Sequence, residues 1–106
     1  MNEEDAANLF NALSNADRLK VIRALVVAGP NGLNAGGIAQ SVGASPSRAS
    51  FHLSALTDAG ILTRERQARS LIYTINFARI GELMTFLLED CCAGSPELKA
   101  CCAVLR

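Results

Sequence analysis

Residues 34–60, NAGGIAQSVGASPSRASFHLSALTDAG, decide the fold. Asn34 is suited to cap a short helix, and Gly43 is suited to end that helix in a left-handed conformation. Two residues later, Ser45 and Pro46 form the cap-plus-proline pair with which a second helix typically begins. Two short helices joined by a tight turn predict a helix-turn-helix.

The second helix of this motif presents a small, hydroxyl-bearing face. Ser47, Ser50 and Phe51 fall broadly opposite its apolar side when the residues are projected on a helical wheel. The two serines suit close approach to base edges in the major groove, and Phe51 could contact a thymine methyl group. Arg48 can reach a phosphate. His52 lies at the edge of the apolar side, where packing and DNA contact are equally good interpretations.

A hairpin with a basic tip is predicted directly after the helix-turn-helix. Residues 61–66 and 71–76 are rich in β-formers, and a polar stretch, 67–70, separates them. Arg66 and Arg69 could neutralise backbone phosphates from such a hairpin. A helix-turn-helix followed by a basic hairpin is what a winged DNA-binding module requires.

Helical spacing of apolar residues predicts the remaining elements. A first helix covers Glu4–Leu13, a second runs from about Asp17 to Ala28 with Ser14 and Asp17 as its capping pair, a later one covers Phe77–Cys92, and Ser95 and Pro96 start a short final helix. The resulting class is mainly α, a winged helix-turn-helix of order α-α-α-α-β-β-α. We expect residues 1–92 to form the DNA-binding and dimerisation domain and residues 93–106 a cysteine-containing tail.

The composition fits a small DNA-binding dimer. A chain of 106 residues has room for one domain, and so small a domain gains stability by oligomerising. The helix predicted over residues 77–92 is too apolar for a solvated surface, so we expect it to pair with the first helix across a two-fold homodimer interface. The formal net charge is zero, yet between Ser45 and Arg79 five arginines face two acidic residues.

The sequence also predicts the compartment and the state of the cysteines. No apolar segment is long enough to span a membrane, and the acidic N-terminus does not resemble a signal peptide. We therefore expect a cytoplasmic protein without a membrane partner. In that compartment four cysteines favour thiol chemistry with metals or oxidants over a disulfide framework.

Three stretches resemble the ArsR-type family of small winged-helix metalloregulators. They are ALSNADRL at residues 12–19, SPSRASFHL at residues 45–53, and Leu-x-x-Ala-Gly-Ile-Leu at residues 56–62. The similarity covers roughly Leu9 to Cys92, and its specificity comes from the order of the three motifs. The resemblance implies a homodimeric repressor that binds double-stranded operator DNA until an inducer loosens the complex.

The chain departs from the family at both of its familiar metal sites. One site uses a Cys-x-Cys motif on the helix before the recognition helix, where this chain has LNAGGIA at residues 33–39. The other uses histidine and carboxylate ligands on the last helix, and no histidine follows His52. We therefore expect neither site to form.

Two adjacent cysteine pairs remain, Cys91-Cys92 and Cys101-Cys102. Thiolates prefer soft ions such as trivalent arsenic and antimony. Some members of the resembled family sense arsenite or methylarsenite through a cysteine pair after a stretch like FLLEDCC at residues 86–92. This resemblance favours trivalent arsenic as inducer over other thiophilic ions, with antimonite as a further candidate. Cys91 and Cys92 are the expected core pair, with Cys102 as nominal third ligand and Cys101 as its equal competitor.

The cysteines are also compatible with roles other than metalloid binding. A redox-sensing winged-helix repressor would use the same thiols for disulfides, and buried cysteine is often only a small apolar side chain. A thiol-dependent reductase would need a Cys-x5-Arg loop, whereas four residues separate Cys101 from Arg106. We expect no enzyme and no catalytic cofactor.

Overall fold

The computed structural model describes residues 1–91 and 93–104, which form six α-helices and a three-stranded antiparallel sheet. The helices are α1 (Glu3–Leu13), α2 (Ala16–Ala28), α3 (Ala35–Val42), α4 (Pro46–Asp58), α5 (Phe77–Thr85) and α6 (Pro96–Val104). The strands are β1 (Leu33–Asn34), β2 (Leu62–Gln67) and β3 (Ser70–Ile75). This order confirms the predicted winged helix-turn-helix.

Helix α2 has a different cap from the predicted one. The Oδ1 of Asn15 accepts hydrogen bonds from the backbone N–H groups of Asp17 at 2.8 Å and Arg18 at 3.3 Å. The expected capping role of Ser14 was wrong, because Ser14 Oγ donates to the carbonyl oxygen of Asn11 at 2.8 Å and so helps to end α1. Asparagine and serine are comparable caps, so propensity alone did not separate the neighbours.

Both helices of the helix-turn-helix begin at the predicted caps, and the turn between them lies where it was predicted. Asn34 Oδ1 accepts from the N–H of Gly37 at 2.8 Å, which caps α3. Gly43 ends α3 with a φ of 69°, in the left-handed region. Ser45 Oγ then accepts from the N–H of Arg48 at 3.3 Å, which caps α4. The turn between the two helices is therefore specified by local backbone chemistry.

Strands β2 and β3 form the predicted hairpin, in register from Leu62 opposite Ile75 to Gln67 opposite Ser70. Two residues make the turn, and the first of them, Ala68, has a φ of 55°. Positive φ is what a two-residue hairpin turn requires. The basic tip is consequently a tight turn and not an open loop.

The third strand was not predicted. Leu33 pairs with Tyr73 and Asn34 with Ile72, which places β1 on the other edge of β3 and gives the order β1-β3-β2. A strand of two residues is too short to show alternating hydrophobicity. Gly32 makes this pairing possible: its φ is 65°, and a Cβ there would collide with the carbonyl oxygen of Tyr73.

The core lies between the helices and one face of the sheet. Its largest fully buried side chains are aliphatic and come from α1 through α5, from β2 and from the residue before β2: Leu9, Val21, Leu25, Ile38, Leu53, Leu56, Ile61, Leu62 and Leu83. Full burial of a side chain of this size stabilises the fold by about 1.5–3 kcal/mol. The core thereby fixes α4 against α1, α2 and α3, with its other face outward.

The end of the chain differs from the single long helix expected over Phe77–Cys92. Helix α5 ends at Thr85, and a π-helical segment continues over Phe86–Cys91. Hydrogen bonds in a π-helix join residues five apart rather than four, so the 3.6-residue period does not describe this segment. Cys92 lies outside the described residues. Within those residues, none of the helices could cross a bilayer on length and hydropathy.

Candidate nucleic-acid interface and cysteine segment

The outward face of α4 carries the side chains predicted to meet DNA. Ser47, Arg48, Ser50 and Phe51 are all exposed, and Phe51 is 64% exposed despite its size. The opposite face of the helix is buried in the core, so the exposed face is the one that a partner can reach. It offers hydroxyl groups, one guanidinium and one aromatic ring, which are suitable for base edges, phosphates and thymine methyl groups.

The hairpin adds positive charge on an exposed strand and turn. Arg64 and Arg66 are exposed on β2, and Arg69 is exposed in the turn after Ala68. The hydroxyl groups of Thr63 on β2 and Thr74 on β3 lie 2.8 Å apart, a cross-strand hydrogen bond that supports the pairing. An arginine-bearing hairpin whose strand β2 contacts α4 is able to contact the phosphate backbone.

His52 is buried and does not lie on the outward face of α4. Its side chain is 6% exposed, and its Nδ1 accepts a hydrogen bond from Arg18 Nε at 3.1 Å. The structure therefore supports the packing interpretation of His52, and DNA contact by this residue stays a prediction. The helical period explains the burial, since His52 follows Phe51 by 100° and turns back toward α2.

Two residues that were not predicted to belong to the interface lie behind the outward face of α4. Asp17 and Arg18, in the first turn of α2, contact α4 through an ion pair to Arg48 and the hydrogen bond to His52. The partners are separated by 31 and 34 residues along the chain. In the sequence, both residues lie in the family-like motif at residues 12–19, but nothing in that motif shows that they reach α4.

Most of the cysteine side chains predicted to bind a metalloid lie outside the part of the chain that the structure describes. Cys92 and the side chains of Cys91 and Cys102 lie outside the described residues, whereas Cys101 is exposed on α6 with a free thiol. Among the described side chains, no group of three or more potential metal ligands comes together. The predicted ligand set therefore stays a prediction.

A reverse turn separates the segments that carry the two cysteine pairs. Ala93 and Gly94 have φ angles of 53° and 67°, and the N–H of Gly94 donates to the carbonyl oxygen of Leu88 at 2.9 Å. Beyond the turn, Lys99 Nζ lies 2.7 Å from Glu89 Oε1. The first two turns of α6 are consequently folded back beside the π-helical segment.

Comparison with known proteins shows that this chain is similar to DNA-binding transcriptional regulators. A family model described as a helix-turn-helix domain matches residues 13–65. The HTH-type transcriptional regulator YgaV from Escherichia coli (strain K12) is 29% identical over 89 residues, which are 84% of this chain and 88% of that protein.

Two solved structures extend this comparison. The AntR antimony-specific transcriptional repressor is 31% identical, with a TM-score of 0.58 over 74% of this chain and 70% of that one. The homodimeric winged helix-turn-helix DNA-binding domain of Mb0332 from Mycobacterium bovis, a possible ArsR-family regulator, is 24% identical, with a TM-score of 0.63 over 82% of this chain and 84% of that one.

Proposed function

Because this chain belongs to the helix-turn-helix family of transcriptional regulators and has the ArsR-type winged-helix fold, we propose that it is a metalloid-responsive repressor. It binds double-stranded operator DNA as a homodimer and releases the DNA when trivalent arsenic, as arsenite or methylarsenite, binds C-terminal thiolates. Residues 1–92 supply DNA binding and dimerisation, and residues 93–106 supply the second cysteine pair. The compartment that suits this role is the cytoplasm.

The geometry of α4 and the hairpin carries the DNA-binding part of the proposal. The serine and phenylalanine side chains of α4 are exposed toward a partner, while the arginines of β2 and its turn project beside it. Ser47 and Ser50 approach base edges, Phe51 contacts a thymine methyl group, and Arg66 and Arg69 bind phosphates.

Exposed apolar side chains on α1 and α5 support the homodimer. Phe10 on α1 is 42% exposed, and Phe77 and Met84 on α5 are 64% and 43% exposed. A two-fold interface would cover such side chains with the same patch of a second copy. The homodimeric domain of Mb0332 has the same fold.

The cysteine pairs and the reverse turn between them support metalloid sensing. All four cysteines lie in the last 16 residues, and the turn at Ala93 and Gly94 brings α6 back beside the π-helical segment that ends at Cys91. Trivalent arsenic and antimony are soft and prefer sulfur ligands. Cys91 and Cys92 are the proposed core ligands, with Cys102 or Cys101 as the third.

The likeness to AntR supports a metalloid of this group as inducer. Ligand binding at the end of the π-helical segment that follows α5 would change the separation of the two α4 helices in a dimer. Two recognition helices must match half-sites about one DNA turn apart, so such a shift weakens binding.

One titration tests the proposal. A duplex is selected with the unmodified protein from a random-sequence pool, and its release is followed by fluorescence anisotropy during addition of arsenite, methylarsenite, antimonite, cadmium or hydrogen peroxide. We expect release by arsenite or methylarsenite, loss of that response in Cys91→Ser and Cys92→Ser, and a weakened response in Cys102→Ser or Cys101→Ser. Equal affinity with and without every metalloid would overturn the sensing part, and release by peroxide alone would assign a redox switch.

A further inference from the structure

The first turn of α2 contacts α4, the recognition helix of the helix-turn-helix, at three positions. Arg18 contacts Phe51 and His52, and Asp17 contacts Arg48. All three partners lie in the N-terminal half of α4; Arg48 and Phe51 belong to its outward face, and His52 is buried behind that face. The orientation of the DNA-facing side chains therefore depends on these two residues of α2.

Arg18 joins three helices through one guanidinium. Its Nε donates to His52 Nδ1 at 3.1 Å, and its Nη1 donates to the carbonyl oxygen of Ala12, in the last turn of α1, at 3.2 Å. Its Cζ lies 5.6 Å from the centroid of the Phe51 ring, within the range of a cation–π contact. A planar fork of donors can satisfy these partners together, whereas a lysine ammonium cannot.

Asp17 restrains the exposed arginine of the recognition helix. Its Oδ2 forms an ion pair with Nη2 of Arg48 and lies 3.7 Å from Nε2 of His52. The carboxylate also places negative charge beside the surface that meets phosphates. It therefore opposes contacts that Arg48 would make to any DNA regardless of sequence.

The hydrogen bond from Arg18 fixes the tautomer of His52. A guanidinium donates and never accepts, so His52 Nδ1 must be the unprotonated acceptor. The ring proton then lies on Nε2, on the side of Asp17. Because His52 is the sole histidine of the chain, its ring nitrogens can be observed without overlap.

We propose that Asp17 and Arg18 are positioning residues that determine the sequence specificity of DNA binding. Arg18 fixes the rotation of α4 relative to α1 and α2, and Asp17 suppresses non-specific contacts by Arg48. This inference rests on the proposed operator binding. It concerns residues that stand behind the DNA surface and need not touch DNA themselves.

The test compares affinity for the selected duplex with affinity for a scrambled duplex of the same length and composition. We expect Arg18→Gln to lower the ratio by about tenfold, the discrimination that one base contact supplies, chiefly through weaker binding of the selected duplex. Arg18→Lys keeps the charge but should not restore the ratio. Asp17→Asn should lower the ratio in another way. The freed Arg48 gains phosphate contacts on either duplex, and the gain is larger on the scrambled duplex, where base contacts do not already fix the register of α4.

Two control variants each remove a charge of the same sign at a position that does not connect α2 with α4. Arg23→Gln removes a positive charge from the exposed side of α2, and Asp58→Asn removes a negative charge at the far end of α4. We expect both to keep the ratio of the unmodified protein to within about twofold. Thermal unfolding identifies any variant whose fold is lost.

Two results would overturn the inference, and neither is the failure of the proposed function. One is an unchanged ratio in folded Asp17→Asn and Arg18→Gln. The other needs no variant: nitrogen-15 spectra of the unmodified protein at neutral pH should show His52 protonated on Nε2 alone, and protonation of Nδ1 would exclude the bond from Arg18. If selection enriches no sequence, operator binding itself is what fails.

Discussion

Helices α4 and α6 begin with the same two residues and are held in different ways. Ser45-Pro46 starts α4 and Ser95-Pro96 starts α6, in each case shortly after a glycine with positive φ. Helix α4 buries one whole side in the core, whereas no side chain described in α6 is fully buried. Local chemistry thus decides where a helix begins, and burial decides how firmly the molecule holds it.

This difference matches the two roles proposed for the helices. A recognition helix must keep one orientation relative to its partner in the dimer, and the core supplies that rigidity. A segment that changes on ligand binding must be able to move at low cost, as low-stability elements do. We therefore expect equivalent substitutions in the two helices to have unequal effects on stability.

Core truncation should give the largest contrast. Leu53→Ala in α4 removes a side chain that is 1% exposed, and we expect a loss of about 2–5 kcal/mol in the free energy of unfolding. Leu98→Ala in α6 removes a half-buried leucine outside the core cluster, and its cost should stay below about 1 kcal/mol. Chemical denaturation at one fixed protomer concentration measures both, since dimer stability depends on concentration. Equal losses would show that α6 unfolds together with the core.

The glycines that precede the two helices should give the next contrast. Gly43 and Gly94 have φ angles of 69° and 67°, so alanine is strained at both. We expect Gly43→Ala to lower the free energy of unfolding by about 1–2 kcal/mol, because the turn cannot relax without moving α4. Gly94→Ala should leave global unfolding nearly unchanged.

The effect of Gly94→Ala should be local instead. A Cβ there would lie 3.1 Å from Oε2 of Glu89 and 3.6 Å from Nζ of Lys99, the two groups that tie α6 back. We expect faster tryptic cleavage after Lys99, measured by mass spectrometry. A cleavage rate equal to that of the unmodified protein would contradict a role for this turn in holding α6.

Removal of the N-cap should give a smaller difference in stability between α4 and α6. Ser45→Ala removes the acceptor of the N–H of Arg48, and we expect a loss of about 1 kcal/mol in the free energy of unfolding. Ser95→Ala removes the acceptor of the N–H of Leu98 at 3.4 Å, and it should loosen α6 without a measurable change in global stability. Ser45→Asn, which restores a side-chain acceptor, serves as the matched control.

The same distinction explains how much of the molecule could be predicted from sequence. Local sequence signals were sufficient to predict the helix-turn-helix. Asn34, Gly43 and Ser45 act on backbone groups no more than a few residues away. The cap of α2 was misplaced by one residue because Ser14 and Asn15 are both good caps. The family and its DNA-binding role followed from the order of these local motifs.

Contacts between distant segments could not be predicted in this way. Strand β1 exists because Leu33 and Asn34 pair with residues about forty positions later. Buried His52 accepts its hydrogen bond from Arg18 of α2, 34 positions earlier in the chain. Neither arrangement changes the local pattern of caps or apolar residues, so the positioning role of Arg18 could be recognised only in three dimensions.

The ion pair between Glu89 and Lys99 should give the smallest effect on stability. Both side chains are about half exposed, and an exposed pair contributes less than about 1 kcal/mol. We expect Glu89→Gln to change the free energy of unfolding by less than about 0.5 kcal/mol and to speed tryptic cleavage after Lys99. The acceleration should disappear at high ionic strength, where salt screens the pair in the unmodified protein as well.

Glu97→Gln is the matched control, because Glu97 is an exposed carboxylate in the first turn of the same helix. It should leave cleavage after Lys99 unchanged. If Glu89→Gln instead lowered global stability as much as Ser45→Ala, α6 would belong to the cooperative unit that contains α4. The distinction between a rigid recognition helix and a movable cysteine segment would then be lost, and the proposed coupling would require motion of the whole domain.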